Sequence, residues 1–355
     1  MPTFNPDFLK LAREQKGLSQ KDLAAALKVA QSEISKIESG KKAPNESFVE
    51  RIVQFFGYTA DFFEQPDVAM PSGLVFHRKR SALSATDRAR IEAEARARML
   101  DVAAFARFHD GIASELPERN GRTPTEAARA LRAEWKVPAG PIENLVALLE
   151  RHRVFLLAFD FGTDLLDAFF LPSAERNEPM CIAFNTNPAF PPDRHRFTLA
   201  HELGHAVLHR DEFPDAKGDR QEREANEFAG EFLAPAEDIA ADLAPPLTFA
   251  KLRELKVKWK MSMSGLVRRA KEIKAIRESE YKSICFFFSK FGYRTREPSM
   301  GLLPECARAV RWLAADLFRS RGDAAPEALH LSRGLFDDRY PGAALAASQG
   351  GAPMT

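Results

Sequence analysis

The order of apolar and polar positions divides the chain into stretches of different character. Between residues 6 and 63, apolar positions recur at helical spacing in five short segments. Phe8, Leu9 and Ala12 make one stripe, closed by Gly17. Ser19 then stands at the cap position of QKDLAAALKV, with Asp22 three residues on as a weak capping box. After the turn KVA, the segment from Gln31 to Glu38 turns Ile34 and Ile37 inward and is stopped by Gly40. A loop at Pro44 precedes FVERIVQFFG, and Asp67 to Gly73, with Pro66 and Pro71, reads as a domain boundary.

Residues 84–110 alternate acidic and basic positions in an alanine-rich helix that reads as a spacer. TPTEAARALRAEW and PIENLVALLERH are two further helices. Three short apolar runs follow, VFLLAF (154–159), AFFL (168–171) and CIAF (181–184), which read as strands. FTLAHELGHAVLHR is helical, and an acidic loop containing Gly218 separates it from the helix QEREANEFAGEFLA, closed by Pro235. Residues 248–278 suggest two basic helices joined at Met261–Ser264. SICFFFS (283–289) reads as one more strand, and the Ala/Gly/Ser-rich tail from Gly342 as disordered. No repeat of fixed period is present.

A length of 355 residues fits two or three domains, and 45% hydrophobic with 28% charged residues is a globular composition. No apolar run approaches the roughly 20 residues needed to span a bilayer. The N-terminus lacks the layout of a signal peptide, so a cytoplasmic location without membrane association is expected. Cys181, Cys285 and Cys306 are widely spaced with no CxxC, which argues against a disulfide framework or a cysteine-based zinc site. Cys285, beside three phenylalanines, reads as a core residue. Charge is balanced overall but unevenly placed. Residues 6–43 carry eight basic against five acidic side chains, 249–280 ten against four, and 209–242 four against eleven.

The strongest chemical signal is His201-Glu202-Leu203-Gly204-His205, an HExxH inside an otherwise apolar helix. Histidines four apart share a helical face and can bind one metal ion, with Glu202 one step round, where a carboxylate reaches the water rather than the metal. A zinc ion with three protein ligands and an open position lowers the pKa of its water to about 7. No third histidine follows at the HExxHxxGxxH spacing. The next helix offers Glu222, Glu224 and Glu227. Glu222 and Asn226 share a face, so one can bind zinc while the other hydrogen-bonds a ligand histidine. That pairing favours Glu222, and Glu224 and Glu227 read better as surface charge. His209, His152 and His195 are candidate transition-state donors, each more readily read as a surface or supporting residue. Zinc is the expected ion, and manganese suits the same donor set.

RFTLAHELGHAVLH followed by EREANEFAGEFLAP resembles the ImmA/IrrE family of zinc-dependent metallopeptidases. The resemblance begins near TPTEAARALRAEW and runs to about residue 280. It carries His201 and His205 over as zinc ligands, Glu202 as catalytic base and Glu222 as third ligand. It implies a gluzincin-like core, an edge strand that receives extended substrate, and substrates that are themselves repressors. Leu233-Ala234-Pro235 stands where the family usually has Leu-Met-Pro.

LSQKDLAAALKVAQSEISKIESGKKAP resembles the XRE/Cro-type helix-turn-helix. Gln31, Ser32 and Lys36 point outward from the second helix and are the candidates for base contacts, while Gln20, Lys41 and Lys42 would hold phosphates. The modest local charge implies weak binding by one copy, so a homodimer on a double-stranded DNA operator is expected. GYRTREPSM (292–300) and the helices after it resemble the tail of XRE proteins fused to this peptidase.

The expected fold class is therefore α+β. Its parts are an all-α helix-turn-helix domain (1–67), a helical linker (68–122), a metallopeptidase core with a small sheet and the HExxH helix (123–245), a basic, winged-helix-like helical hairpin (246–280) and a C-terminal helical extension with a disordered tail (281–355). The expected function is a transcriptional regulator with zinc endopeptidase activity against a repressor or antitoxin under stress such as DNA damage. The alternatives are a regulator whose peptidase-like domain senses a ligand or partner without proteolysis, and an antitoxin.

Overall fold

The computed structural model describes residues 4–66, 83–109, 113–114, 116–171, 179–210, 219–294 and 296–348. The boundary at 67–73 and the acidic loop at 211–218 lie outside the described residues. The chain begins with α1 (Pro6–Gln15), α2 (Gln20–Leu27), α3 (Gln31–Glu38), α4 (Glu46–Phe56) and a 3-10 turn at Ala60–Glu64. Ser19 and Asp22 do form a capping box, with the Asp22 N–H donating to Ser19 Oγ at 3.2 Å and the Ser19 N–H to Asp22 at 2.9 Å. The spacer is a single helix, α5 (Ala85–Phe105).

Next come α6 (Pro124–Glu134), α7 (Leu145–Arg151), β1 (Val154–Phe159), β2 (Ala168–Leu171) and β3 (Met180–Asn185). The three strands make one sheet in the order β1-β3-β2, parallel between β1 and β3 and antiparallel between β3 and β2. Side chains alternate across a strand. Phe155, Leu157, Phe169 and Leu171 therefore enter one core and Leu156, Phe170, Ile182 and Phe184 the other. Coverage on both faces explains why the strands read as continuous apolar runs rather than alternating ones. The first core also contains α1–α4, the inner face of α5 and the C-terminal helices, so the helix-turn-helix segment and the back of the sheet share one hydrophobic interior.

On the other face lie α8 (Pro192–Leu208) and α9 (Asp219–Leu233), packed along each other, then α10 (Ala236–Ile239), α11 (Phe249–Trp259) and α12 (Met263–Glu272). The basic pair α11–α12 contains no strand among its described residues, and two of its basic side chains, Lys256 and Arg269, are buried, whereas Arg253, Lys258, Arg268 and Lys271 are exposed. Lys256 is buried between Asp193 at 2.8 Å and Glu297 at 3.0 Å, Arg269 pairs with buried Glu231, and Lys258 meets Asp242 at 2.6 Å. The acidic and basic stretches of the sequence thus meet in part, and the hairpin packs against α8 and α9 through Lys256 with Asp193 and Arg269 with Glu231. Glu297, in the segment 292–300, accepts from the Met263 N–H at 2.7 Å and the Ser264 N–H at 2.9 Å, which caps α12.

Residues 283–289 are helical, not a strand. They belong to α13 (Glu278–Lys290), where Tyr281, Ile284 and Phe288 turn one face to the core at helical spacing. The apolar run hides this period because Phe286 and Phe287, beside the buried Phe288, are exposed. Cys285 is half-buried on this helix.

The chain closes with α14 (Ala309–Arg321), α15 (Ala325–Ala328), α16 (Arg333–Arg339) and α17 (Ala343–Ser348). The tail expected to be disordered from Gly342 is therefore helical to Ser348. Its small residues, Ala343 among them, pack closely on α14, and residues 349–355 lie outside the described residues. This C-terminal part returns to the helix-turn-helix segment, where the Thr59 N–H donates to the His330 carbonyl at 2.9 Å and the Ser332 N–H to the Gly57 carbonyl at 2.7 Å. Beside that junction Arg339 is buried against Asp101 of α5 at 2.6 Å and the Tyr58 hydroxyl at 2.8 Å, and the Tyr340 hydroxyl also donates to Asp101 at 2.6 Å.

Candidate metal centre

α8 is buried from Leu199 to Leu208, which forces its polar residues to meet partners inside the fold. His201 and His205, one turn apart, bring their Nε2 atoms to 3.1 Å from each other. Glu222, on the first turns of α9, places Oε2 at 3.6 Å from His201 Nε2 and Oε1 at 3.5 Å from His205 Nε2. Donor atoms about 2.0–2.1 Å from one tetrahedral ion lie about 3.3 Å apart, so two imidazole nitrogens and a carboxylate at these separations fit a divalent cation. Among the described residues this is the one group of histidine, cysteine or carboxylate side chains that converges in this way. His205 is 1% exposed and Glu222 is 28% exposed at the side chain, so the centre opens to solvent on its carboxylate side.

The close approach of α8 and α9 depends on Gly204. A Cβ there would lie 3.1 Å from Phe228 Cδ1 and 3.3 Å from both the Cα and the carbonyl oxygen of Ala225. Glu202 points to the sheet instead of α9, and its Oε2 accepts from the Phe170 N–H of β2 at 2.9 Å. Because β2 is an outer strand, the proposed base sits beside a sheet edge.

Behind the ligands His209 takes the supporting place the sequence allowed it, but in a link to Glu224 that the sequence reading did not foresee. His205 Nδ1 faces His209 Nδ1 at 3.1 Å, and His209 Nε2 faces Glu224 Oε2 at 2.8 Å. Arg119 holds Glu224 with two guanidinium contacts at 3.1 and 3.3 Å, and Arg220 adds a third at 3.2 Å. Partial burial raises the Glu224 pKa, but the bonds from His209 and Arg119 outweigh it and hold the carboxyl below its ordinary value. Glu224 is therefore not the surface charge expected of it, while Glu227 accepts from Thr125 at 2.9 Å on the exposed side. The legible signal was the four-residue step from His205 to His209, which repeats the step from His201 to His205.

Asn226 does not reach a ligand histidine, as its Nδ2 donates to the backbone carbonyl of Glu222 at 2.7 Å, one turn back along α9. Neither His152 nor His195 joins the cluster. His152 stacks on Trp135 at 4.2 Å between ring centres, and His195 packs edge-on against Phe184 and Phe190.

In the N-terminal segment, Gln31, Ser32 and Lys36 are exposed on α3, and Lys41 and Lys42 follow it at the surface. Gln20 is half-buried, where its Oε1 accepts from Gln31 at 2.9 Å and its Nε2 donates to Glu38 at 2.9 Å. Lys42 pairs with Glu33.

Residues 149–271 match the family model of the IrrE N-terminal-like domain, and residues 9–63 match that of the helix-turn-helix. The chain is a fusion of these two domains. None of the curated proteins compared with it matches. The IrrE-like match spans β1 to α12 and so contains the sheet, Glu202 and all three converging donors, which makes this a metallopeptidase-like domain. The helix-turn-helix match spans α1 to the 3-10 turn and contains the exposed face of α3. Among the described residues, no helix is long and apolar enough to cross a membrane.

Proposed function

We propose that this chain is a DNA-binding transcriptional regulator whose second domain is a zinc-dependent endopeptidase. The convergence of His201, His205 and Glu222 with Glu202 one residue along α8 carries the reading. These three side chains would hold a zinc ion, or manganese on the same donors, and the ion would supply a Lewis acid for water ionisation and carbonyl polarisation. Glu202 takes the proton of the attacking water and delivers it to the departing amine nitrogen. The Phe170 N–H holds the Glu202 carboxylate at the sheet edge, and the β2 edge lines up an extended peptide by main-chain pairing. His205 and Glu202 are buried, while the Glu222 side of the centre stays open to solvent, from which the attacking water enters.

The substrate class is a repressor or antitoxin protein, cleaved in a stress response such as that to DNA damage. The helix-turn-helix binds an operator as a homodimer, with Gln31, Ser32 and Lys36 at base edges and Gln20, Lys41 and Lys42 at the backbone. Gln20, already bonded to Gln31, also sets the direction of that side chain. A second reading, in which the peptidase-like domain senses a ligand or partner without proteolysis, draws on the hydrophobic core shared by the helix-turn-helix and the sheet.

The test is incubation of the zinc-loaded full chain with a proteome-derived peptide library, with new termini read by mass spectrometry. Cleavage by the wild type that disappears in Glu202→Gln, with zinc retained, supports the endopeptidase. Zinc-loaded wild type that cuts no peptide, or equal cleavage by Glu202→Gln, removes it and favours the sensor.

A further inference from the structure

His209 is 2% exposed, Glu224 has a charge to neutralise, and neither belongs to the three converging donors. Their arrangement nevertheless constrains His205. Two Nδ1 atoms at 3.1 Å form a hydrogen bond only if one ring carries the proton and the other presents its lone pair. The ligand set decides which. His205 turns Nε2 towards Glu222 and His201, so that atom must present its lone pair if His205 is to bind an ion there, and Nδ1 then carries the proton. His209 can accept it on its own Nδ1 and turn Nε2 as a donor to Glu224 Oε2 at 2.8 Å, a carboxyl group that Arg119 and Arg220 hold in place.

We propose that Glu224 and His209 are positioning residues that fix the tautomer and ring orientation in which His205 presents Nε2 to the metal. The inference rests on the metal-centre reading above and deepens it. Arg119, from the segment before α6, and Arg220, at the start of α9, complete the arrangement by holding the Glu224 carboxyl group, so His209 stands between that group and the ligand His205. The role has a division of labour within α9. Glu222 joins the ion directly, whereas Glu224, two residues on, reaches the same ion's ligand from behind through His209. Asn226 is committed to the helix backbone and does not substitute for either. A partner of this kind behind a metal-bound histidine typically contributes 10–100-fold to metal affinity.

The experiment is zinc-chelator competition on the full chain, with cobalt-substituted visible absorption as a second readout. His209→Phe keeps a flat apolar ring and removes both hydrogen bonds. His209→Gln can still accept from His205 through its carbonyl oxygen and donate to Glu224 through its amide. Glu224→Gln keeps the shape of a partly exposed side chain, which protects the test should His209→Phe not fold. The expected result is zinc affinity about 10–100-fold weaker in His209→Phe, about tenfold weaker in Glu224→Gln, and within a few-fold of wild type in His209→Gln. The cobalt spectrum should change in His209→Phe and be restored in His209→Gln. Wild type that binds zinc while His209→Phe and Glu224→Gln bind it equally well overturns the relay alone. So does equal weakening in His209→Phe and His209→Gln, which would mark a filler of space. Wild type that binds no zinc overturns the metal-centre reading, and the relay with it.

Discussion

Replacing Gly204 by alanine tests whether the distance between α8 and α9 sets the geometry of the metal centre. The added methyl would stand 3.1 Å from Phe228 Cδ1 and 3.3 Å from the Ala225 Cα and carbonyl oxygen. The Phe228 ring has little room to turn, since it stacks on Phe232 at 5.7 Å, and the Ala225 contacts are backbone. Relief therefore requires α9 to retreat by a few tenths of an ångström at a point three residues from Glu222. Overpacking of this kind costs about 1–3 kcal/mol, whereas glycine to alanine inside a helix returns about 1 kcal/mol. The net expectation is apo-protein destabilisation of up to about 2 kcal/mol. Zinc affinity should fall about tenfold, the equivalent of about 1.4 kcal/mol. Gly230→Ala is the control on the same helix pair. Its new methyl would lie 3.4 Å from Glu272 Oε2 and 3.8 Å from Arg269 Cδ and Nη1, ordinary contact distances on the side of α9 that faces α12, so it should stabilise by up to about 1 kcal/mol and leave zinc binding unchanged. Urea unfolding of the apo chain and chelator competition measure both quantities. Gly204→Ala that gains stability like Gly230→Ala and binds zinc like wild type would refute the reasoning.

Asp101→Ala removes the carboxylate that pairs with the buried Arg339 at 2.6 Å, and should cost about 3–5 kcal/mol in urea unfolding. A loss below about 1 kcal/mol would contradict the importance given to that junction. Burial holds the His195 imidazole below the ordinary histidine value of 6.5, against an opposing pull from Asp167. A group with a depressed folded pKa contributes stability that is present above the unfolded value and lost as pH falls through the folded one. The apo chain should therefore lose stability as pH falls below 6.5, and His195→Phe should flatten part of that slope in pH-resolved thermal unfolding. An unchanged slope would remove His195 from the account. On a selected operator, Gln31→Ala should reduce discrimination against non-specific DNA by about 1–3 kcal/mol, whereas Lys41→Ala should weaken binding to all sequences and lower the salt slope by about 1. Anisotropy titrations that show the same pattern for both variants would sink the assignment of base and phosphate contacts.

The parts of the site that were legible in the sequence depend on local geometry. His201, Glu202 and His205 follow from the helical period of one segment. The spacing to Asn226 that favoured Glu222 does not act as expected, since Asn226 binds the Glu222 carbonyl and the packing of α9 on α8 is what brings Glu222 to the histidines. The relation of His209 to Glu224 was not legible, because it arises from the register between α8 and α9, which Gly204 fixes in three dimensions. Two of the three strands were bounded as observed, and the third, read as 181–184, extends one residue further at each end. Their arrangement with β3 in the middle, and the division of their side chains between two cores, depend on long-range pairing that periodicity does not carry. The run 283–289 misled because exposed phenylalanines filled the face that polar residues normally mark. Which basic side chains of α11–α12 are buried was not legible, because Asp193 and Glu297 beside Lys256, and Glu231 beside Arg269, are distant in sequence.

The central claim is that His201, His205 and Glu222 hold one divalent cation. Elemental analysis of the purified full chain beside Glu222→Ala tests it most directly. The account predicts one equivalent of metal, zinc first among the candidates, in the wild type and its loss in the variant. Wild-type chain without stoichiometric metal, or Glu222→Ala that retains it, would contradict the account.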